Sequence, residues 1–389
     1  MNRNLLVTLI LVTIGALIPA AAAEVVVGAA RTDQYIPLLK GKRVGLYSNH
    51  TGIVDGRHSL DIMLENGTNV TKIFSPEHGF RGNADAGEHV GNSRDPQTGV
   101  EIVSLYGNKN PNAAADAMRD LDVVVVDIQD VGLRFYTYYC TMLHLMNVAA
   151  EQGKRVVVLD RPNPNGMTVD GPILDMKYAS GVGRLPIPVV HGLTLAEMAL
   201  MINGEGWLKE GRKVQLDVIP CLNYTHQTRY ELPVAPSPNL RTMKAIYLYP
   251  STCYFEATPV SLGRGTDYPF EIYGHPDMEG YPYSFTPRSV EGAKNPPQLN
   301  KECHGRDLRG LDNEAIIAQG VNLEYLIDAY NALGIGDKFF TGFFEKLIGD
   351  PSIRGKIAAG QSAAQIKASW ADDTARFRHQ RKPYLLYAE

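Results

Sequence analysis

Four consecutive valines, Val123 to Val126, run directly into Asp127 and Ile128. Side chains branched at Cβ are stiff and crowd a helix, so this run forms a strand. A strand apolar at every position has both faces covered, as happens inside a parallel sheet with helices on each side. The neighbouring segments agree. Residues 42–49, 70–75 and 101–105 read as strands before the valines, and residues 155–159 read as one after them. Between them, residues 59–65 suit a helix, residues 112–118 are alanine-rich, and residues 135–152 carry Met142, Leu145, Met146 and Ala149 at helical spacing. This alternation predicts an α/β fold with a doubly wound, mostly parallel sheet. It fades after Gly171, although Thr194 caps a further helix and residues 216–220 read as another strand. A soft boundary near Gly211 divides an N-terminal domain, 24–211, from a smaller α+β domain, 212–389. Helices are expected there at 323–333 and 339–348, with the basic and aromatic tail 376–387 docking back.

The 389 residues carry a net charge of −4, which gives no basic field for nucleic acid. Arg3, the apolar stretch 5–17 and Ala21-Ala22-Ala23 read as an export signal over 1–23, with the mature chain starting at Glu24 in the periplasm or outside the cell. No later stretch is long and apolar enough to span a bilayer. Four cysteines in an exported chain allow three full pairings. Cys140 is expected buried and free, and Cys253 with Cys303 is a candidate bridge. The turn after the first strand, Ser48-Asn49-His50-Thr51-Gly52, lacks GxGxxG, and the chain has neither a P-loop nor a GxSxG elbow. No cofactor and no resident metal are expected.

Ligands of doubly wound sheets bind outside the carboxyl ends of the strands. Those ends carry Asn49 and His50, then Glu77 and His78, then Tyr106, then Asp127, Asp130 and Arg134, then Asp160 and Arg161. The loop after the second strand is the richest. Ser75-Pro76-Glu77-His78-Gly79-Phe80-Arg81-Gly82, continuing to Glu88-His89, sets carboxylates, imidazoles and a guanidinium on a backbone punctuated by proline and glycine.

These loops resemble the motifs of one family. Residues 76–82 resemble its PEHGFRG motif, residues 127–138 its DIQDVG-x-RFYTY motif and residues 159–164 its LDRPNP motif. Ser237-Pro238-Asn239, Phe255-Glu256-Ala257-Thr258 and Gly263-Arg264-Gly265-Thr266 are similar to its later SPN, FEGT and GRGT motifs, with Ala257 standing where the family usually has glycine. The family is that of the exo-β-N-acetylmuramidases acting on peptidoglycan. The resemblance runs from about Leu38 to the C-terminus. It implies a Rossmann-like N-terminal domain, a smaller C-terminal domain completing the cleft, and release of N-acetylmuramic acid from the non-reducing ends of cell-wall disaccharides or muropeptides.

Glycoside hydrolysis uses a protonated carboxyl to assist the leaving oxygen and a second group to stabilise the oxocarbenium centre, attack it or activate water. Glu77 is the expected acid/base, with His78 beside it. Asp127, Asp130, Asp160 and Glu256 are candidates for the second carboxylate, and the sugar's own acetamido oxygen is an alternative. The lactyl carboxylate of muramic acid calls for a guanidinium. Arg81, Arg134, Arg161 and Arg264 are candidates, Arg134 and Arg264 preferred. Tyr136 and Tyr138 are candidates for stacking on a sugar ring, and Asn49, His191 and Asn239 complete the expected substrate contacts. Two other readings compete: a metal-assisted hydrolase drawing on His50, His78, His89, His191, Asp127 and Asp130, and a non-catalytic binder of cell-wall sugars.

Overall fold

The computed structural model describes residues 23–76, 80, 93–105 and 110–389. Its main sheet has parallel strands β1 (Arg43–Ser48), β2 (Asn69–Ser75), β3 (Glu101–Ser104), β4 (Val123–Asp127), β5 (Arg155–Leu159) and β6 (Gln215–Ile219). Their spatial order is β3-β2-β1-β4-β5-β6, and the short strand Ser93–Arg94 adds antiparallel to β3 at the edge. The chain therefore begins in the middle and winds outward twice, as expected. The order reverses between β1 and β4, where Ser48 pairs with Asp127. The sixth strand lies beyond the expected boundary at Gly211. Its register with β5 is continuous from Arg155–Gln215 to Leu159–Ile219.

The valine strand divides its side chains between two cores. Val124 and Val126 enter one with Tyr47, Phe74, Val156 and Val158. Val123 and Val125 enter the other with Leu46, Ile73, Val157 and Leu159. The split follows from the pleat, which sends successive side chains to opposite faces. Each such side chain contributes about 1.5–3 kcal/mol by leaving water. Helices α1 (Thr32–Leu39) and α2 (Ser59–Glu65) cover the smaller core. Helices α3 (Ala113–Met118), α4 (Tyr138–Gln152) and α5 (Leu195–Gly204) cover the larger. Helix α5 opens on a capping box, in which Thr194 accepts from the Glu197 amide and Glu197 accepts from the Thr194 amide.

The larger core runs without interruption into the C-terminal region. It takes in α6 (Met243–Thr252), α7 (Asn313–Gln319) and α8 (Glu324–Leu333). An antiparallel sheet of β7 (Ile272–His275), β8 (Tyr283–Phe285) and β9 (Cys303–Asp307), in the order β7-β9-β8, lies beside them. The helix expected at 339–348 is shorter, α9 (Phe344–Ile348), but Phe339 and Phe340 are buried ahead of it. Three helices follow: α10 (Ser352–Ala358), α11 (Ala363–Ala368) and α12 (Ala371–Arg381). The last residues return to α5. Tyr387 donates to Asp160 at 2.6 Å and the Leu386 amide donates to Glu197 at 2.8 Å.

All four cysteines are buried with free thiols, so the Cys253–Cys303 bridge is not formed. Each serves as a small core residue. Among the described residues, no helix is long and apolar enough to cross a membrane.

Candidate active site

The described polar strand ends converge on one rim, but most of them are consumed in holding it together. Asn49, buried at the end of β1, accepts from the Thr51 amide at 3.0 Å and donates to the Tyr138 hydroxyl at 2.8 Å. Thr51 accepts from the Gln129 amide at 3.0 Å, and Gln129 donates to the Pro162 carbonyl at 2.7 Å. The loops after β1, β4 and β5 are thereby bonded in series. Gly132, at φ 78°, sits against Asn163, where a Cβ would come within 2.2 Å of the amide oxygen; only glycine fits that turn.

Several expected site residues belong to this scaffold. Asp127 and Arg161 form a buried two-pronged ion pair at 2.7 and 3.1 Å, and Arg161 also donates to the Ile53 carbonyl. Asp160 caps α5 by accepting from the Ala196 amide at 3.0 Å, and its other oxygen holds Tyr387. Burial pushes its carboxyl up to about 7. His191 is buried and accepts from the Leu193 amide at 3.1 Å; burial, then the charges of Arg381 and Arg134, push it down to about 3. It is neutral at any working pH. Tyr138 is buried, bonded to Asn49 and to the Pro236 carbonyl, and still borders the cleft described below.

Arg134, one of the two preferred carboxylate binders, is the clearest correction. Its side chain is fully buried. One terminal nitrogen donates to the Pro172 and Ile187 carbonyls at 2.7 and 2.8 Å, the other to Leu347 and Ile348 at 2.9 and 2.8 Å. The second pair are the last carbonyls of α9, which lack helical partners. Arg134 therefore ties the N-terminal sheet region to the end of a C-terminal helix. Gly349 makes room for it, since a Cβ there would fall 2.6 Å from the guanidinium.

Asp130 differs from its neighbours on the rim. One oxygen accepts from the Gly132 amide at 2.7 Å, while the other is buried with no hydrogen-bond partner among the described residues. Burial pushes its carboxyl up to about 7, against the loop amides that pull it down. The folded protein thus holds this proton well above the ordinary value of 3.8, and an unfolded chain releases it first. The contribution to stability is complete below about pH 4 and is lost as pH rises towards 7. Urea unfolding of the wild type should show a decline over that window, to which Asp160 also contributes, and Asp130→Asn should make it shallower; parallel pH profiles for the two would contradict the assignment.

What the rim builds is a support for the segment 235–239. His50 bonds to the Ala235 carbonyl at 2.8 Å, and Tyr136 donates to the Pro236 carbonyl at 2.8 Å. This lays Ser237 and Asn239 along a cleft of about 290 Å³. Asn239 is fixed by donating to the Gly292 carbonyl at 2.9 Å. Tyr136 and Val182 line the N-terminal side of the cleft, while Tyr249, Glu256, Arg264 and Phe270 line the C-terminal side. Arg264 pairs with Glu256 at 2.7 Å and lies 5.2 Å from the centre of the Phe270 ring. Burial works against its charge, but the Glu256 carboxylate more than offsets this and holds it above the ordinary arginine value. Both side chains keep part of their surface open to the cleft, at 20% and 26%. Phe270 is buried at φ 68°, a conformation bulky residues seldom adopt, which marks the loop after Arg264 as locally strained. Ala257 is not among the left-handed residues, so its methyl in place of glycine costs nothing there.

The expected residues therefore divide. Tyr136, Asn239, Glu256 and Arg264 come together around one cleft. Asn49, Asp127, Arg134, Asp160, Arg161 and His191 are scaffold. Glu77, His78 and Arg81, with Glu88, His89 and Tyr106, lie outside the described residues. Tyr249 and Phe270 were not anticipated. Tyr249 stands in the run Tyr247-Leu248-Tyr249-Pro250, in a helix buried at every position from Ala245 to Thr252, so that stretch shows no amphipathic stripe. Among the described residues, no group of three or more histidine, cysteine or acidic side chains is arranged to hold a metal ion.

Comparison with known proteins bears on the family and the fold. The family model described as exo-β-N-acetylmuramidase NamZ, N-terminal, matches residues 44–244, and its C-terminal counterpart matches residues 247–387. The chain is 38% identical over 372 residues to the peptidoglycan β-N-acetylmuramidase NamZ of Bacillus subtilis (strain 168), covering 91% of this chain and 89% of that protein. Two solved structures of DUF1343 family proteins from Bacteroides fragilis NCTC 9343 superpose on it. BF0379 shares 58% identity with a TM-score of 0.88, over 94% of this chain and all of that one. BF0371 shares 26% identity with a TM-score of 0.79, over 93% and 99%. The chain belongs to the exo-β-N-acetylmuramidase NamZ family.

Proposed function

We propose that this protein is an exo-acting glycoside hydrolase that releases N-acetylmuramic acid from the non-reducing ends of peptidoglycan-derived fragments. Beside its family membership, one observation carries the substrate assignment. Of the arginines expected to read a lactyl carboxylate, Arg134 and Arg161 are buried and committed to protein acceptors, and Arg81 lies outside the described residues. Among the described candidates, Arg264 is the one that lines the cleft, with its side chain partly exposed. Its bond to Glu256 holds the fork in place, and an arriving carboxylate can share it. Glu77, two residues after β2 ends at Ser75 in the sequence, serves as the acid/base. Glu256, or the rim carboxyl of Asp130, acts as the second group. The N-terminal segment 1–23 supports action outside the cytoplasm, and the exported protein should begin at Glu24 on N-terminal sequencing.

The direct test is incubation with a disaccharide of N-acetylmuramic acid linked β-1,4 to N-acetylglucosamine, beside the all-glucosamine disaccharide. Free N-acetylmuramic acid should appear from the first, with far slower cleavage of the second. Arg264→Lys keeps the charge and loses the fork, so the preference for muramic acid should fall by about 10–100-fold. Equal losses on both substrates would remove Arg264 from carboxylate recognition. Binding without release would leave the protein a sugar binder.

A further inference from the structure

We propose that a row of planar side chains outside the cleft, Tyr268, Arg309, Tyr283 and Phe285, is a platform for the part of the glycan beyond the bond being cut. The inference rests on the glycosidase reading of the cleft.

The row starts at the mouth of the site. Arg264 and Phe270 both line the cleft, and Tyr268 lies between them on the same short loop. Two residues span at most about 7 Å, so the Tyr268 backbone is within that distance of the Phe270 backbone. Yet Tyr268 points outward and is 37% exposed, an unusual position for a large ring. Its backbone is fixed: its amide donates to the Thr266 hydroxyl at 3.1 Å and its carbonyl accepts from the Glu271 amide at 3.2 Å.

From Tyr268 the row crosses to the antiparallel sheet. The Arg309 guanidinium lies 3.8 Å from the centre of the Tyr268 ring and 5.5 Å from that of Tyr283. Asp307 locks it flat through two bonds, at 2.9 and 2.7 Å. Tyr283 and Phe285 are two apart on β8 and so share a face; their rings are 6.0 Å apart and inclined by only 29°. None of these four side chains is fully buried.

This surface suits the ring faces of a glycan. Arg309 is paired with Asp307, so contact here falls on the pyranose rings and not on the lactyl carboxylates that alternate sugars carry. Rigid rings with polar edges match the two sides of a pyranose, whose C–H face stacks on an aromatic plane while its hydroxyls meet the tyrosine and aspartate oxygens. Continuity with the cleft decides which sugars these are. The terminal muramic acid fills the cleft, and the platform holds the residues that follow it.

The test compares chain lengths. Wild type, Tyr268→Ala, Tyr283→Ala and the double variant are assayed on the muramic-acid disaccharide and on a peptide-free glycan of six or more sugars. Each alanine variant should cleave the disaccharide within about 2-fold of wild type. On the longer glycan each should lose about 10-fold in kcat/KM, chiefly through KM. Tyr268→Phe keeps the ring and should keep the preference for long chains. Losses equal on both substrates, or absent on both, would overturn the platform. So would a wild-type dimer that the variants convert to monomer, since that gives the face to a second copy. Calorimetric binding of the long glycan to the same variants tests the platform without turnover. A wild type that binds the glycan and cleaves neither substrate would refute the hydrolase reading alone.

Discussion

Glu77→Gln should lower kcat on the muramic-acid disaccharide by about 10²–10⁴-fold, the usual contribution of a positioned acid or base. Glutamine keeps the size and hydrogen-bonding reach of the side chain and removes only its proton. KM should change little, because the lost interaction belongs to the transition state. A nitrophenyl muramide, whose leaving group departs without a proton, should recover much of the first-step rate. Turnover close to wild type on the disaccharide would take the acid/base role from Glu77. The scaffold explains why Glu77 leads the candidates. Asp127 is tied to Arg161, and Asp160 holds α5 and Tyr387, so neither carboxylate is available to a glycosidic oxygen.

Arg134→Met should cost about 3–5 kcal/mol of stability, read from the shift of the urea midpoint. Methionine fills part of the volume but takes a donor from four buried carbonyls, of Pro172, Ile187, Leu347 and Ile348, of which Ile187 keeps the Leu174 amide. Two of these belong to the N-terminal sheet region and two to the end of α9, so the loss loosens the attachment between them. The folded fraction should discriminate muramic acid from glucosamine as wild type does. Unchanged stability with lost discrimination would restore Arg134 to the substrate site. Set beside Arg264→Lys, the pair separates a guanidinium that builds the cleft from one that reads the ligand.

Both arginines stand in motifs of equal prominence, and nothing in their local sequence tells them apart. The difference is made by partners far along the chain: Arg134 meets carbonyls more than two hundred residues away, at Leu347 and Ile348. The same holds for the strand-end carboxylates. Their arrival at one rim follows from strand–helix alternation, but whether each stays free depends on long-range bonds such as Asp160 to Tyr387. The free cysteines and the unbroken core across the expected domain boundary are likewise matters of three-dimensional packing.

By itself the sequence determined the winding of the sheet, the position of its central strands, the family and the short set of polar residues at issue. It could do so because β-branched runs, helical spacing and glycine turns act through neighbours only a few residues apart. The tertiary structure alone decided which polar residues are structural and which face the cleft. It also placed Tyr249 and Phe270 in that cleft and carried Tyr268 into line with Arg309 and Tyr283. The reason is physical: a buried polar side chain takes its role from the groups that satisfy it, and those are set by the folded chain, not by its neighbours in sequence.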